Sequence, residues 1–169
     1  MSDLEARVAA LEARLDATEA VLAIQNLKSR YAQLVDQRYS RGKVVEPARL
    51  RDVAEEIAGL FAPDGVWDGG KALGVSTGRA EIAERMCKPT LRFSWHYFLK
   101  PEIKVDGDRA HARWDILSPC SLPDGTPHWM SGFEDDTYVK LDGVWLHQSM
   151  KLTSVFMAPH DTGWEMIYV

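Results

Sequence analysis

Asp36 and His96 are the two residues whose types best suit acid–base chemistry. Asp36 closes the amphipathic segment Ile24-Gln25-Asn26-Leu27-Lys28-Ser29-Arg30-Tyr31-Ala32-Gln33-Leu34-Val35-Asp36, and His96 lies in Phe93-Ser94-Trp95-His96-Tyr97-Phe98. A carboxylate that fixes one imidazole tautomer and stabilises its conjugate acid creates a general base needing neither metal nor cofactor. On a helix turning ~100° per residue, Lys28, Tyr31 and Asp36 fall within about a 140° arc that adjoins the apolar stripe. An acid on the edge of a buried face needs a partner. Tyr31 could donate a hydrogen bond to a substrate oxygen, and Lys28 could stabilise an oxyanion or phenolate. Each residue also has a plainer reading. Asp36 could be a helix-terminal acid paired with Arg38 or Arg41, His96 a satisfied strand histidine, Tyr31 a core tyrosine, and Lys28 a solvated lysine.

The chain has six tryptophans. Trp67, Trp95, Trp114 and Trp129 fall in or beside strand-like segments, as core packing or as walls of an aromatic-lined cavity for a flat apolar ligand. Strand alternation groups Ser94, His96 and Phe98 on one face and Trp95, Tyr97 and Leu99 on the other. It likewise groups Trp114, Ile116 and Ser118 opposite Arg113 and Asp115, which predicts that Trp114 and Ser118 point inward. His111, His128, His147 and His160 read as surface or structural residues. No Gly-rich phosphate loop, Ser-His-Asp order or metal-ligand spacing stands out.

Leu4, Val8, Leu11 and Leu15 repeat at spacings of four, three and four, a short heptad pattern. It predicts an N-terminal helical extension over 1–17 that docks on its own body or on a neighbour, followed by one domain over 18–169. Helix continues from Thr18 to about Tyr39. Pro47 starts a second helix through Leu50, Val53, Ile57 and Leu60, which Pro63-Asp64-Gly65 stops. A short strand Val66-Trp67-Asp68, a Gly69-Gly70 turn and a helix from about Arg79 to Met86 follow. Strands are expected at Leu91–Val105, Arg109–Pro119, His128–Lys140 and Val144–Met157, separated by Asp106-Gly107-Asp108, Pro123-Asp124-Gly125 and Asp142-Gly143. Helices followed by hairpin-linked strands imply an α+β fold, a curved antiparallel sheet wrapped around the N-terminal helices.

With 169 residues, 46% hydrophobic and 27% charged, the chain has ordinary globular composition. Its net charge of −5 argues against nucleic acid, since the one basic stretch, Arg38-Tyr39-Ser40-Arg41-Gly42-Lys43, reads as a solvated loop. No apolar run is long enough for a membrane span, and the N-terminus lacks a signal-peptide profile. Cys87 and Cys120 are too few for a disulfide framework, which fits a reduced, cytoplasmic protein. The apolar groups of the tail, residues 158–169, are expected to dock on the body or on a neighbouring subunit.

Several local words carry a resemblance. Tyr31…Asp36, Leu60-Phe61-Ala62-Pro63-Asp64-Gly65-Val66-Trp67, Gly78-Arg79-Ala80-Glu81-Ile82 and Leu141-Asp142-Gly143-Val144-Trp145 resemble the nuclear-transport-factor-2-like superfamily, SnoaL-like branch, from about Leu22 to Phe156. That resemblance implies a cone-shaped α+β barrel around one deep apolar pocket. Within the branch the chain looks most like the cofactor-free lyases: bile acid 7α-dehydratase, scytalone dehydratase, hexachlorocyclohexane dehydrochlorinase and diarylpropane lyase. The likeness to the bile acid enzymes extends to the heptad extension and to Lys28-Ser29-Arg30-Tyr31…Asp36. It implies a catalytic Asp36–His96 dyad with Tyr31, a substrate site including Lys28, Trp67, Trp114 and Ser118, no cofactor and no metal. The reaction implied is dehydratase-type elimination from a hydrophobic aromatic or polycyclic alcohol: a steroid, or a lignin-derived dimer with linked loss of formaldehyde. The superfamily also holds isomerases or polyketide cyclases, which would use Asp36 alone as base, and non-catalytic binders. Relatives assemble as homotrimers or homodimers. Two family positions differ: Ser118 stands roughly where the bile acid enzymes carry a further acid, and only His111 lies near the second histidine of the scytalone dehydratases.

Overall fold

The computed structural model describes residues 2–161. Helix α1, Asp3–Asp36, is one unbroken rod of 34 residues. Its start is fixed by a capping box in which the Glu5 N–H donates to Ser2 Oγ at 3.3 Å and the Ser2 N–H donates to Glu5 Oε2 at 2.6 Å. The expected extension and the first domain helix are therefore continuous. Residues 2–19 are all exposed, and burial begins at Ala20.

Strands β1 (Tyr39–Ser40) and β2 (Lys43–Val44) form a tight hairpin where a loop was expected. Arg41 and Gly42 both have positive φ, 51° and 72°, as such a two-residue turn requires. Helix α2, Pro47–Gly59, has Pro47 at its first position. Strand β3, Phe61–Asp68, runs through Pro63-Asp64-Gly65, which was expected to be a stop. There its pairing with the last strand shifts register between Phe61 and Val66, so the breaker residues bend a strand instead of ending it. Helix α3 (Gly70–Leu73), strand β4 (Val75–Thr77) and helix α4 (Gly78–Met86) follow.

The remaining strands are β5 (Phe93–Ser94), β6 (Tyr97–Asp106), β7 (Arg109–Ser121), β8 (Pro127–Leu141) and β9 (Val144–Pro159). The expected single strand over 91–105 is thus two strands. The His96 N–H donates to Asp36 Oδ1 at 3.0 Å, which takes it out of the ladder. Further along, Lys100 has φ 49° and the pairing with β7 shifts between Leu99 and Glu102. Pro101, inside that shift, has no N–H to offer.

The sheet order is β4-β3-β9-β8-β7-β5, with β6 also on β7. All pairs are antiparallel except β3 with β9. The sheet curves around the helices as a cone-like half-barrel, the α+β architecture expected. One core joins Leu34 and Val35 of α1, Val53 and Ile57 of α2, Ile82 and Met86 of α4, and Phe61 and Met150 of the sheet. A second joins Ala20 and Ile24 to Ala112, Trp114, Tyr138 and Trp145. Along β7 burial alternates strictly, with Ala110, Ala112, Trp114, Ile116, Ser118 and Cys120 inside, as the period-2 reading predicts. No helix among the described residues is long and apolar enough to cross a membrane. The tail expectation for residues 162–169 lies outside the described residues.

Candidate active site

Asp36 is the last residue of α1, where the helix dipole disfavours a negative charge. It is nevertheless buried. Its compensation is His96, 60 positions away, whose ring Nδ1 lies 2.8 Å from Asp36 Oδ1. An ionised carboxylate only accepts, so this contact places the proton on Nδ1 and leaves Nε2 as an acceptor. Ser94 Oγ stands 3.3 Å from Nε2. Burial pushes the imidazole below its ordinary range, and the hydrogen bond and charge of Asp36 pull it part of the way back. His96 is therefore a neutral base whose protonated form has a carboxylate waiting for it.

His96 and Ser94 line a cavity of about 220 Å³ whose other walls include Tyr31, Trp67, Ile116, Ser118 and Glu134. A larger, more open groove runs on the other side of the dyad, past Gln33, Trp95 and Trp114. The enclosed space is the better site, because a dry, shaped cavity strengthens every polar interaction within it. Tyr31 Oη accepts from Trp67 Nε1 at 3.0 Å, which leaves its own O–H free to donate. Burial and then the charge of Glu134 raise the phenol well above its ordinary value, so Tyr31 stays a donor. Ser118 Oγ is buried on the same wall and meets no hydrogen-bond partner among the described residues. A buried hydroxyl in a cavity wall calls for a hydrogen-bond partner.

Lys28, two turns before Asp36, is the opposite of solvated. Its ammonium is buried between Glu134 and Asp136 on β8, donating to Glu134 Oε2 and, at 2.7 Å, to Asp136 Oδ2. Asp136 Oδ2 also accepts from the Tyr138 hydroxyl at 2.8 Å, and that hydroxyl accepts from Trp114 Nε1 at 3.0 Å. Burial works against the ammonium, but the two carboxylates outweigh it and raise Lys28 above its ordinary value. Burial raises both acids, with Lys28 opposing. Glu134 is the member of this network that also borders the cavity.

With Lys28, Asp36 and Trp114 on the larger groove, His96, Tyr31, Trp67 and Ser118 meet around the smaller space. Lys28 lies behind it, holding Glu134, and Trp114 spends its indole N–H on Tyr138 instead of lining the enclosed cavity. Trp95 faces outward, and Trp129 stacks on His160 at 6.2 Å. His147 is fully buried against Tyr138 and Phe61. Glu134 and Asp136 were missed by the sequence reading. Alternation puts Glu134, Asp136 and Tyr138 on one strand face but does not say which face turns inward.

A model of the SnoaL-like domain matches residues 16–151. Among solved structures, hexachlorocyclohexane dehydrochlorinase LinA-type3 from Novosphingobium barchaimii LL02 superposes with a TM-score of 0.71 at 20% identity, covering 92% of this chain and 98% of that one. A protein from Novosphingobium aromaticivorans DSM 12444 named for scytalone dehydratase gives 0.67 at 20% identity, covering 86% and 91%. An NTF2-like protein with a cystatin-like fold from Novosphingobium aromaticivorans gives 0.68 at 24%, covering 86% and 88%. No curated protein matches the chain in sequence. At these identities the structural likeness establishes the fold, and the domain match establishes the family: the chain belongs to the SnoaL-like domain family of the NTF2-like superfamily.

Proposed function

We propose that the chain is a cofactor-independent lyase acting by dehydratase-type elimination on a hydrophobic aromatic alcohol. The observation that carries this reading is the Asp36–His96 contact at the wall of an enclosed cavity, with the Tyr31 O–H donating into the same space. His96 Nε2 takes a proton from carbon, the C–H electron pair becomes the new C=C bond, and the C–O bond breaks. Tyr31 binds the oxygen on which charge builds, and the proton taken up by His96 passes to that oxygen, which leaves as water. Asp36 stabilises the imidazolium formed. Positioned acid–base groups of this kind supply roughly 10²- to 10⁴-fold each, sufficient for an activated C–H or a benzylic alcohol.

The rings of Tyr31, Tyr39 and Trp67 in the cavity wall suit a flat aromatic compound. Lignin-derived aromatic dimers, in which elimination is linked to loss of formaldehyde, fit that class. Two free cysteines and no disulfide suit a reducing, cytoplasmic setting. The test is a panel of benzylic alcohols and diaryl propanols, followed by absorbance of the conjugated alkene and by formaldehyde trapping. Turnover in wild type that collapses in both His96→Ala and Asp36→Asn supports the lyase. Turnover that survives His96→Ala points to an isomerase or cyclase using Asp36 alone, and binding without turnover across the panel points to a ligand-binding module.

A further inference from the structure

Helix α1 carries two apolar faces that point in opposite directions. On the docked face, Ala20, Ile24, Tyr31 and Val35 are buried against the body. On the other, Leu4, Val8, Leu11, Leu15 and Leu22 are 69%, 44%, 60%, 57% and 54% exposed. At ~100° per residue the centres of these two faces lie roughly 180° apart around the helix. The rod is unbroken, so the leucine stripe cannot turn back onto its own body.

The charges beside the stripe say what covers it. With Leu4 and Leu11 at heptad position d and Val8, Leu15 and Leu22 at a, every flanking e position is Glu (Glu5, Glu12, Glu19) and the g positions at 7 and 14 are Arg. In parallel coiled coils a g residue faces the e residue five positions later on the neighbouring helix. That rule sets Arg7 against Glu12 and Arg14 against Glu19 of another copy. None of these four side chains forms an ion pair among the described residues. Glu5 is spent on the capping box. The polar residue at d, Thr18, buries its hydroxyl need in its own helix by donating to Arg14 O at 2.9 Å. An antiparallel pairing would instead set Arg against Arg and Glu against Glu.

We propose that residues 4–22 of α1 form a parallel coiled-coil seam between copies of this chain. The seam is about 27 Å long at 1.5 Å per residue, which is short for an isolated coiled coil. Here the helix is already nucleated, by the capping box at one end and the docked half at the other. Parallel helices share the axis of a closed cyclic assembly, so the bodies gather at one end of the bundle.

Sedimentation velocity of the full-length chain over a concentration series tests this, with circular dichroism and thermal unfolding as the fold control. Wild type self-associates. Leu11→Glu with Leu15→Glu runs as a monomer whose body unfolds as before, because residues 2–19 bury nothing against it. Glu12→Arg with Glu19→Arg weakens association at least about tenfold, as does Arg7→Glu with Arg14→Glu, and all four changes together restore it. A monomeric wild type, an assembly that withstands the leucine changes, or a fourfold charge exchange that fails to rescue would each overturn the seam. So would an unaltered affinity in Glu12→Arg with Glu19→Arg, which is the signature of antiparallel pairing.

Discussion

One carboxylate oxygen of Asp36 meets His96 twice, 2.8 Å from the ring Nδ1 and 3.0 Å from the backbone N. The second contact fixes where the histidine starts from the helix, and the first fixes which way its ring faces. Asp36→Asn keeps the shape but removes the charge that stabilises the imidazolium. Turnover on the identified substrate falls by roughly 10²-fold or more, and His96→Ala falls at least as far. Both proteins remain folded by circular dichroism. Full turnover in the two variants would remove the dyad from the mechanism.

The pH profile follows from the same pair. The neutral imidazole is the active form, and burial holds its pKa below the ordinary histidine value of 6.5. The profile of kcat/KM is therefore flat through neutral pH and drops only on the acid side. Asp36 pulls the imidazole pKa upward, so its removal in Asp36→Asn moves that acid limb to lower pH. A limb that moves upward would contradict the assignment of His96 as the base.

Tyr31→Phe removes the donor proposed to meet the leaving oxygen while keeping the ring that packs on Phe61 at 6.2 Å. The expected result is a fall in kcat of roughly 10- to 100-fold with KM little changed. Stability also drops by about 1–3 kcal/mol, since Trp67 loses the acceptor for its buried N–H. A change confined to KM would make Tyr31 a binding residue.

Lys28→Met leaves Glu134 and Asp136 buried without their cation, and urea unfolding should show a loss of about 3–5 kcal/mol. Adding Glu134→Gln and Asp136→Asn removes the stranded charges and recovers most of it. Failure of the triple variant to recover would mean that the lysine stem, not its charge, carries the effect.

His147 is fully buried and neither ring nitrogen meets a hydrogen-bond partner among the described residues, Asp136 Oδ2 lying 3.9 Å from Nδ1. Burial, with the charge of Lys28 behind it, holds its pKa well below the ordinary value. As pH falls below about 6.5, the unfolded chain takes up a proton that the folded one refuses, and stability is lost. His147→Phe keeps a ring among Tyr138 and Phe61, matches wild type at neutral pH, and loses less on acidification. Urea midpoints at about pH 7 and pH 5 measure the difference. Equal losses would place the acid sensitivity elsewhere.

The parts of this site that the sequence made legible rest on regular periods. Asp36 falls at the end of a 3.6-residue stripe, and Ser118 falls on the inner face of an alternating strand. The resemblance then paired Asp36 with the distant His96, which no local pattern could do. Glu134 and Asp136 were hidden because Phe133-Glu134-Asp135-Asp136 looks like a solvated acidic run. Only the sheet register, setting Glu134 opposite Trp114, shows which of its carboxylates turn inward. The break at Trp95-His96 was equally unreadable, because its cause is a carboxylate 60 residues away.

The unbroken α1 also sets a rule for how this chain can change length. Ala20 faces the body and Leu22 faces away on one rigid spiral, so adding one residue near position 18 would swing the leucine stripe by about 100° around Asp36's axis. Seven added residues would shift it by only about 20°. With a seam there, growth of this segment is quantised in heptads, and a single-codon insertion would reorient everything upstream while leaving the cavity beside His96 intact.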